Sequence, residues 1–371
     1  MSLFSRFNCI KVSAVAIFLL IFQFGNAQYN FSKLDAWMKN NVEDLGGRAV
    51  MMIYKDGKLV YSHAENKLSR KQKVVGKFIA KRQGKDANFE DYTTTTRERI
   101  ASCSKWLSAA LVMTFVDEDK LSLNDTIGKY LPVMSQHGKG DITMWQCLSH
   151  LTSIKAPELK ESLQEMKDIN SMDEAVQKIA VLPMEGAPGK VFRYSNVGLQ
   201  LAGAVIEKIS GKDFETLFAE RIAKPLNMKN TDFGKGKVPL PAGGAYSTPE
   251  DYMNFLVMIL NEGTFNGKQV LSKNNIIEMQ KNRIGNDVTI AHSPAEVTNW
   301  GYGLGEWIVD GAAQGQRSSV VSSPGLFGSF PVVNRDKNYC GILFTFNLKH
   351  KGRQERYVEL QNILNEALAK Q

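Results

Sequence analysis

Cysteine is scarce in this chain: four occur in 371 residues, and Cys9 precedes an apolar run near the start, where it cannot be a lipoprotein cysteine. The other three, Cys103, Cys147 and Cys340, are odd in number and follow no disulfide-scaffold spacing. Core packing is the expected role of Cys147 and Cys340. The five histidines are scattered without ligand spacing, so no zinc site, and no metal of any kind, is expected. No helix reads as a recognition helix and no aromatics alternate with basic residues. Nucleic acid is therefore not an expected partner, although the formal net charge is +8. Long apolar runs are also lacking. The run at 12–24 is too short to span a bilayer comfortably.

That run has Arg6 and Lys11 before it and Gly25-Asn26-Ala27 after it, which are the parts of a secretory leader over residues 1–27. A membrane anchor is the alternative. Losing the leader removes two basic and no acidic residues, so the net charge falls from +8 to +6. The expected location is periplasmic or extracellular, with no membrane span after leader removal. The segment 67–85 is rich in Lys and Arg and reads as part of a solvated surface excursion over 66–90. A loose attraction to an anionic cell surface is the other reading.

What remains is ordinary globular composition, 43% hydrophobic with 30 glycines and 11 prolines. It is enough for a large core. Residues 34–42 pattern as a helix. Residues 49–54 and 59–62 form a hairpin about Asp56-Gly57. Helices are expected over 142–150, 172–180, 197–209, 214–223, 252–260 and 359–368. Residues 302–309 read as one strand and 340–346 as a buried strand. Strands at both ends with helices between predict an α/β (α+β) fold. Its sheet is drawn from about 45–65 and 300–348, with an inserted helical region over about 102–290. There is no internal repeat and no linker, so 28–371 is expected to be one domain with a cleft between its two regions.

Ala101-Ser102-Cys103-Ser104-Lys105 leads into a helical pattern with Leu107, Leu111 and Phe115 at four-residue spacing. Ser102 and Lys105, three apart, fall on one helix face. A serine hydroxyl needs a base to become a nucleophile. A lysine that is buried near a helix start is pushed toward its neutral form. The Ser102 N–H is free at the helix start to hold an oxyanion. Taken alone, Ser-x-x-Lys also fits a helix cap followed by a solvated lysine.

Further landmarks fall in order along the chain. After Ser102-Cys103-Ser104-Lys105 come residues 115–125, Leu148-Ser149-His150-Leu151-Thr152-Ser153 and Tyr194-Ser195-Asn196. Lys224-Pro225-Leu226-Asn227-Met228, Gly243-Gly244 and Tyr302-Gly303-Leu304-Gly305 follow. This set resembles the β-lactamase-related penicilloyl-serine hydrolases: class C β-lactamases, serine D,D-peptidases and related esterases. The resemblance covers roughly residues 30–350 and implies their fold.

It also implies roles. Ser102 would be acylated, and Lys105 would share the base role. Tyr194 would move the proton to the leaving group, which requires the lysine charge to lower its pKa. Asn196 would orient Lys105 and contact a substrate carbonyl, or would serve only as a turn residue or helix cap. His150 is expected to buttress the core. The third motif departs from the family: Ser322-Ser323-Pro324-Gly325 stands where Lys or His, Thr or Ser, then Gly is usual. Ser322 and Ser323 would touch substrate without charge, and the Gly325 N–H would be the second oxyanion donor. Pro324 has no N–H to offer.

The expected activity is a serine hydrolase acting on a small ester, or on an amide without a carboxylate beside the reacting carbonyl. A β-lactamase or D,D-peptidase acting on wall peptides is the alternative within the class. A catalytically silent wall-binding module is the alternative outside it. No cofactor is implied, because nucleophile, base and oxyanion donors all come from the chain.

Overall fold

The structure, a computed structural model, describes residues 29–369 apart from 83, 85, 166 and 167. The leader read at residues 1–27 lies outside the described residues. The sheet is built from strands at the two ends of the chain. These are β1 (Arg48–Lys55), β2 (Lys58–Asn66), β3 (Gly301–Tyr302), β4 (Trp307–Ile308), β5 (Val320–Ser322), β6 (Phe330–Asn334) and β7 (Tyr339–Thr345). They lie side by side as β2-β1-β7-β6-β5-β4-β3, each pair antiparallel. The β1–β2 hairpin turns at Asp56 and Gly57, both with positive φ (48° and 86°), as a tight two-residue turn requires.

Alternation of side chains along the central strands decides what covers each face. Ala49, Met51 and Ile53 of β1, with Leu343 of β7, meet Leu34, Trp37 and Met38 of α1 (Ser32–Asn41). Tyr357, Leu360 and Leu364 of a C-terminal helix (Arg353–Ala367) complete that layer. Val50, Met52, Ile342 and Phe344 face the opposite way, into the main core with the helical region. There α3 (Ser104–Asp117) is buried along nearly its whole length, as expected of a helix that is apolar on all sides.

Most of the expected elements are present. The helix α4 (Met172–Ala180) is capped by Ser171, and the helix α5 (Val197–Ser210) stops at Gly211 with φ +69°. Two expectations need correction. The excursion at 66–90 contains a helix, α2 (Arg70–Arg82), of which no residue is buried and whose Val74, Val75 and Phe78 are exposed, so that there is no core-facing period to read. Residues 302–309 are not one strand but β3 and β4, folded on each other so that Tyr302 pairs with Trp307. The helix expected over 214–223 is present as an α-helix, Phe214–Phe218, that continues as a π-helix, Ala219–Ala223.

Candidate active site

Ser102 stands in a 3-10 turn, Ala101–Cys103, immediately before α3. The residue before it, Ala101, has φ +46°, a left-handed conformation that disfavours a side chain. The turn is fixed from several sides by the loop 241–245 and the helix α6 (Pro249–Leu260). Ser108 donates to the Pro241 carbonyl at 2.6 Å, and the Ala245 N–H donates to Ser104 Oγ at 3.0 Å. The Tyr252 hydroxyl of α6 donates to the Cys103 carbonyl at 2.9 Å. Gly305 packs so closely on α3 that a Cβ there would lie 2.7 Å from the Lys105 carbonyl.

Lys105 is 1% exposed, and its ammonium group lies 3.1 Å from Ser102 Oγ. It donates to the Ala242 carbonyl at 2.8 Å and sits 4.6 Å over the ring of Tyr194. No carboxylate pairs with it among the described residues. Burial lowers its pKa from 10.5 to about 7, against a smaller opposing influence of Cys103. The Cys103 thiol is itself pushed up by burial and stays neutral. Near neutral pH a large share of Lys105 is therefore a free amine in hydrogen-bond reach of the serine.

Tyr194 completes the cluster. Its ring lies 5.1 Å from that of Trp307 and 4.6 Å from that of His150. Burial raises its phenol well above the ordinary value, and its contacts with Ser102 and Trp307 only partly offset that. The tyrosine is thus a protonated group, a donor in its resting state, and the lysine charge does not lower it as expected. His150 is 2% exposed, with Nε2 3.1 Å from the Tyr302 hydroxyl, and burial holds it neutral. It supports the aromatic wall behind Tyr194.

The other expected residues are placed differently. Asn196 lines the cleft at the N-cap of α5, but its side chain neither caps that helix nor bonds Lys105. The second partner of the lysine is the Ala242 main chain, which no side-chain pattern encodes. Ser322 is fully buried and turns its hydroxyl to the Pro331 carbonyl at 2.6 Å, away from the cleft. Ser323 is spent on the main chain, on the carbonyls of Ser102 (3.2 Å) and Gly305 (3.3 Å). The Gly325 N–H donates to the Ser329 carbonyl at 2.8 Å. Pro324, without an N–H, is the member of this motif that faces the cleft.

The cleft around Ser102 encloses about 770 Å³. Its apolar lining includes Leu159, Phe233, Val238, Leu240 and Phe327. The rim adds Arg99 and Lys235, for which no carboxylate partner occurs among the described residues. Neither stands in a motif, so neither is legible in the sequence. A separate cavity of about 370 Å³, beside Leu121, Trp145 and Arg283, is lined by Ser122 but by no Lys or His that could serve it as a base. Among the described residues no group of His, Cys, Asp and Glu could hold a metal ion.

A sheet between two helical layers, with a Ser-x-x-Lys turn at the head of a buried helix, places the protein in a superfamily that includes serine hydrolases. The family model described as Beta-lactamase matches residues 34–363. The chain belongs to the β-lactamase family. It is similar to a candidate β-lactamase of known structure from Bacteroides dorei, with 26% identity, TM-score 0.75, and 92% of this chain and 99% of that one covered. EstCE1, a hydrolase with promiscuous acyltransferase activity, shares the fold at TM-score 0.70 and 18% identity, over 91% of this chain and 98% of its own. The D-alanyl-D-alanine-carboxypeptidase/endopeptidase AmpH of Escherichia coli K12 is 23% identical over 261 residues, which is 62% of this chain and 65% of AmpH.

Proposed function

We propose that the protein is an exported serine hydrolase that forms an acyl-enzyme on Ser102, acting on a small ester or on an amide without a carboxylate beside the reacting carbonyl. The observation that carries the reading is the Lys105 ammonium group, fully buried and 3.1 Å from Ser102 Oγ, with a pKa near 7. In its neutral form Lys105 takes the Ser102 proton as Oγ attacks the carbonyl carbon. The Ser102 N–H, at the start of the helix, holds the developing oxyanion. Tyr194 gives its proton to the leaving group and recovers one from the protonated Lys105. Water then releases the acyl group by the same steps reversed.

Substrate choice follows from the third motif. With Ser322 turned into the sheet and Pro324 at the cleft, nothing at that motif offers a charge to a carboxylate next to the scissile bond. EstCE1 shows that this fold carries hydrolase and acyltransferase chemistry. AmpH, a carboxypeptidase and endopeptidase, keeps wall peptides as the alternative within the class. A silent binding module is favoured by one observation: the Gly325 N–H is engaged with Ser329, which leaves one main-chain oxyanion donor where two are expected. Hydrolysis of p-nitrophenyl esters by the wild type and by Ser102→Ala decides between them. Turnover lost with Ser102→Ala supports the hydrolase. Equal background rates in both proteins, with no labelling of Ser102 by a fluorophosphonate, support the silent module.

A further inference from the structure

The helix α2 has no place in the chemistry above, and its surface is unusual. Between residues 67 and 82 the chain carries seven Lys or Arg and no Asp or Glu. The helix is nonetheless well started. The Gln72 N–H donates to Ser69 Oγ at 3.2 Å and the Ser69 N–H donates to Gln72 Oε1 at 2.9 Å, a reciprocal capping box. Its inner side is thin: Gln72, Gly76, Ile79 and Ala80 are only half-buried, and a Cβ on Gly76 would lie 3.1 Å from the Phe89 ring.

The outer side combines two features that a solvated helix does not need together. Val74, Val75 and Phe78 are 67%, 49% and 61% exposed, and Val74 and Phe78 stand one turn apart. Around them lie Arg70, Lys71, Lys77 and Lys81, which form no ion pair among the described residues, while Lys67 pairs with Glu43. The Arg82 guanidinium lies 5.8 Å over the Phe78 ring.

We infer that α2 is a peripheral membrane contact that lies along a bilayer bearing anionic phospholipid headgroups. Charge complementarity selects the headgroups, because the cations lack protein partners and can reach outward on long stems. The apolar trio selects a bilayer over a soluble polyanion. A polymer would neutralise the lysines and leave Phe78 in water, whereas the headgroup–acyl boundary takes both. Each cation near an anionic surface strengthens binding by about fivefold, so a helix of this kind binds reversibly and in a salt-dependent way. The contact would hold the protein at the membrane surface without a spanning segment. Among the described residues no helix is long and apolar enough to span.

The test is co-sedimentation of the purified protein with phosphatidylcholine vesicles, with and without phosphatidylglycerol. Binding only to the anionic vesicles is expected, weakened about tenfold by Phe78→Ser and by about 25-fold in Lys71→Gln/Lys81→Gln. All of these side chains are exposed, so melting temperature and ester turnover are expected to match the wild type. Phe78→Trp places a fluorophore at the contact, and brominated acyl chains are expected to quench it. Absence of binding to anionic vesicles overturns the inference. So does a Phe78→Ser variant that binds as tightly as wild type while soluble polyphosphate competes fully, which would assign the patch to a polyanion.

Discussion

Lys105 offers a test in which stability and activity report on one proton. Its pKa of about 7 in the folded protein, against 10.5 for a free lysine, is caused first by burial. The unfolded chain therefore holds a proton that the folded chain releases between about pH 7 and 10.5. More protons bound to the unfolded state means that stability rises with pH across this window. The slope is about 1.4 kcal/mol per pH unit within it. Because the side chain is 1% exposed, solvent screening does not reduce this figure appreciably. Lys105→Met removes the burden and should be the more stable protein at neutral pH. Its advantage should shrink by about 2.5 kcal/mol between about pH 7.5 and 9.5. Groups that titrate alike in both proteins cancel in the difference, as do the lost hydrogen bonds to Ser102 and Ala242. Denaturant unfolding of the two proteins at both pH values measures it. The same proton should set the acid limb of ester kcat/KM, falling tenfold per unit below about pH 7. Parallel stability curves, or an acid limb that lies elsewhere, would refute the assignment of Lys105 as the buried base.

Other substitutions test other parts of the account. Tyr194→Phe is expected to lower kcat by about 100-fold or more while leaving the acid limb near its original pH, because that limb belongs to Lys105; single-turnover and steady-state assays on one ester separate the two. Ser322→Lys is expected to destabilise by about 4 kcal/mol without improving the use of carboxylate-bearing substrates, since the position is fully buried on β5, between β4 and β6. Comparing unfolding midpoints with rates on matched neutral and anionic esters checks both halves. Gly198→Ala should cost about 3 kcal/mol or more, because a Cβ there would lie 2.0 Å from the Cys147 carbonyl, a main-chain atom that cannot swing away. Thermal unfolding measures it.

What could be read from the sequence divides by how local its cause is. The Asp56-Gly57 hairpin, the helix Met172–Ala180 and the stop at Gly211 depend on residues within one turn, and all appear. Ser102 and Lys105 are brought together by their own spacing. Tyr194 joins them from a distant segment, and only the ordered resemblance to a family pointed to it. The third motif was readable as letters but not as geometry. In a strand as short as β5, side-chain parity decides whether a serine faces cleft or core, and Ser322 faces the core. The engagement of the Gly325 N–H depends on how the chain closes back at Ser329. For α2 the periodic signal was missing because nothing on the helix is buried, yet Ser69 and Gln72 carried a local one in their capping-box spacing. Arg99 and Lys235 reach the cleft rim through tertiary packing alone.

Time-resolved intact mass of the protein mixed with a p-nitrophenyl ester, with Ser102→Ala alongside, reports whether an acyl-enzyme forms on Ser102. An acyl adduct is expected on the wild type that forms and decays as product appears, maps to Ser102, and never appears on the variant. An adduct on another residue, or ester turnover retained by Ser102→Ala, would contradict it.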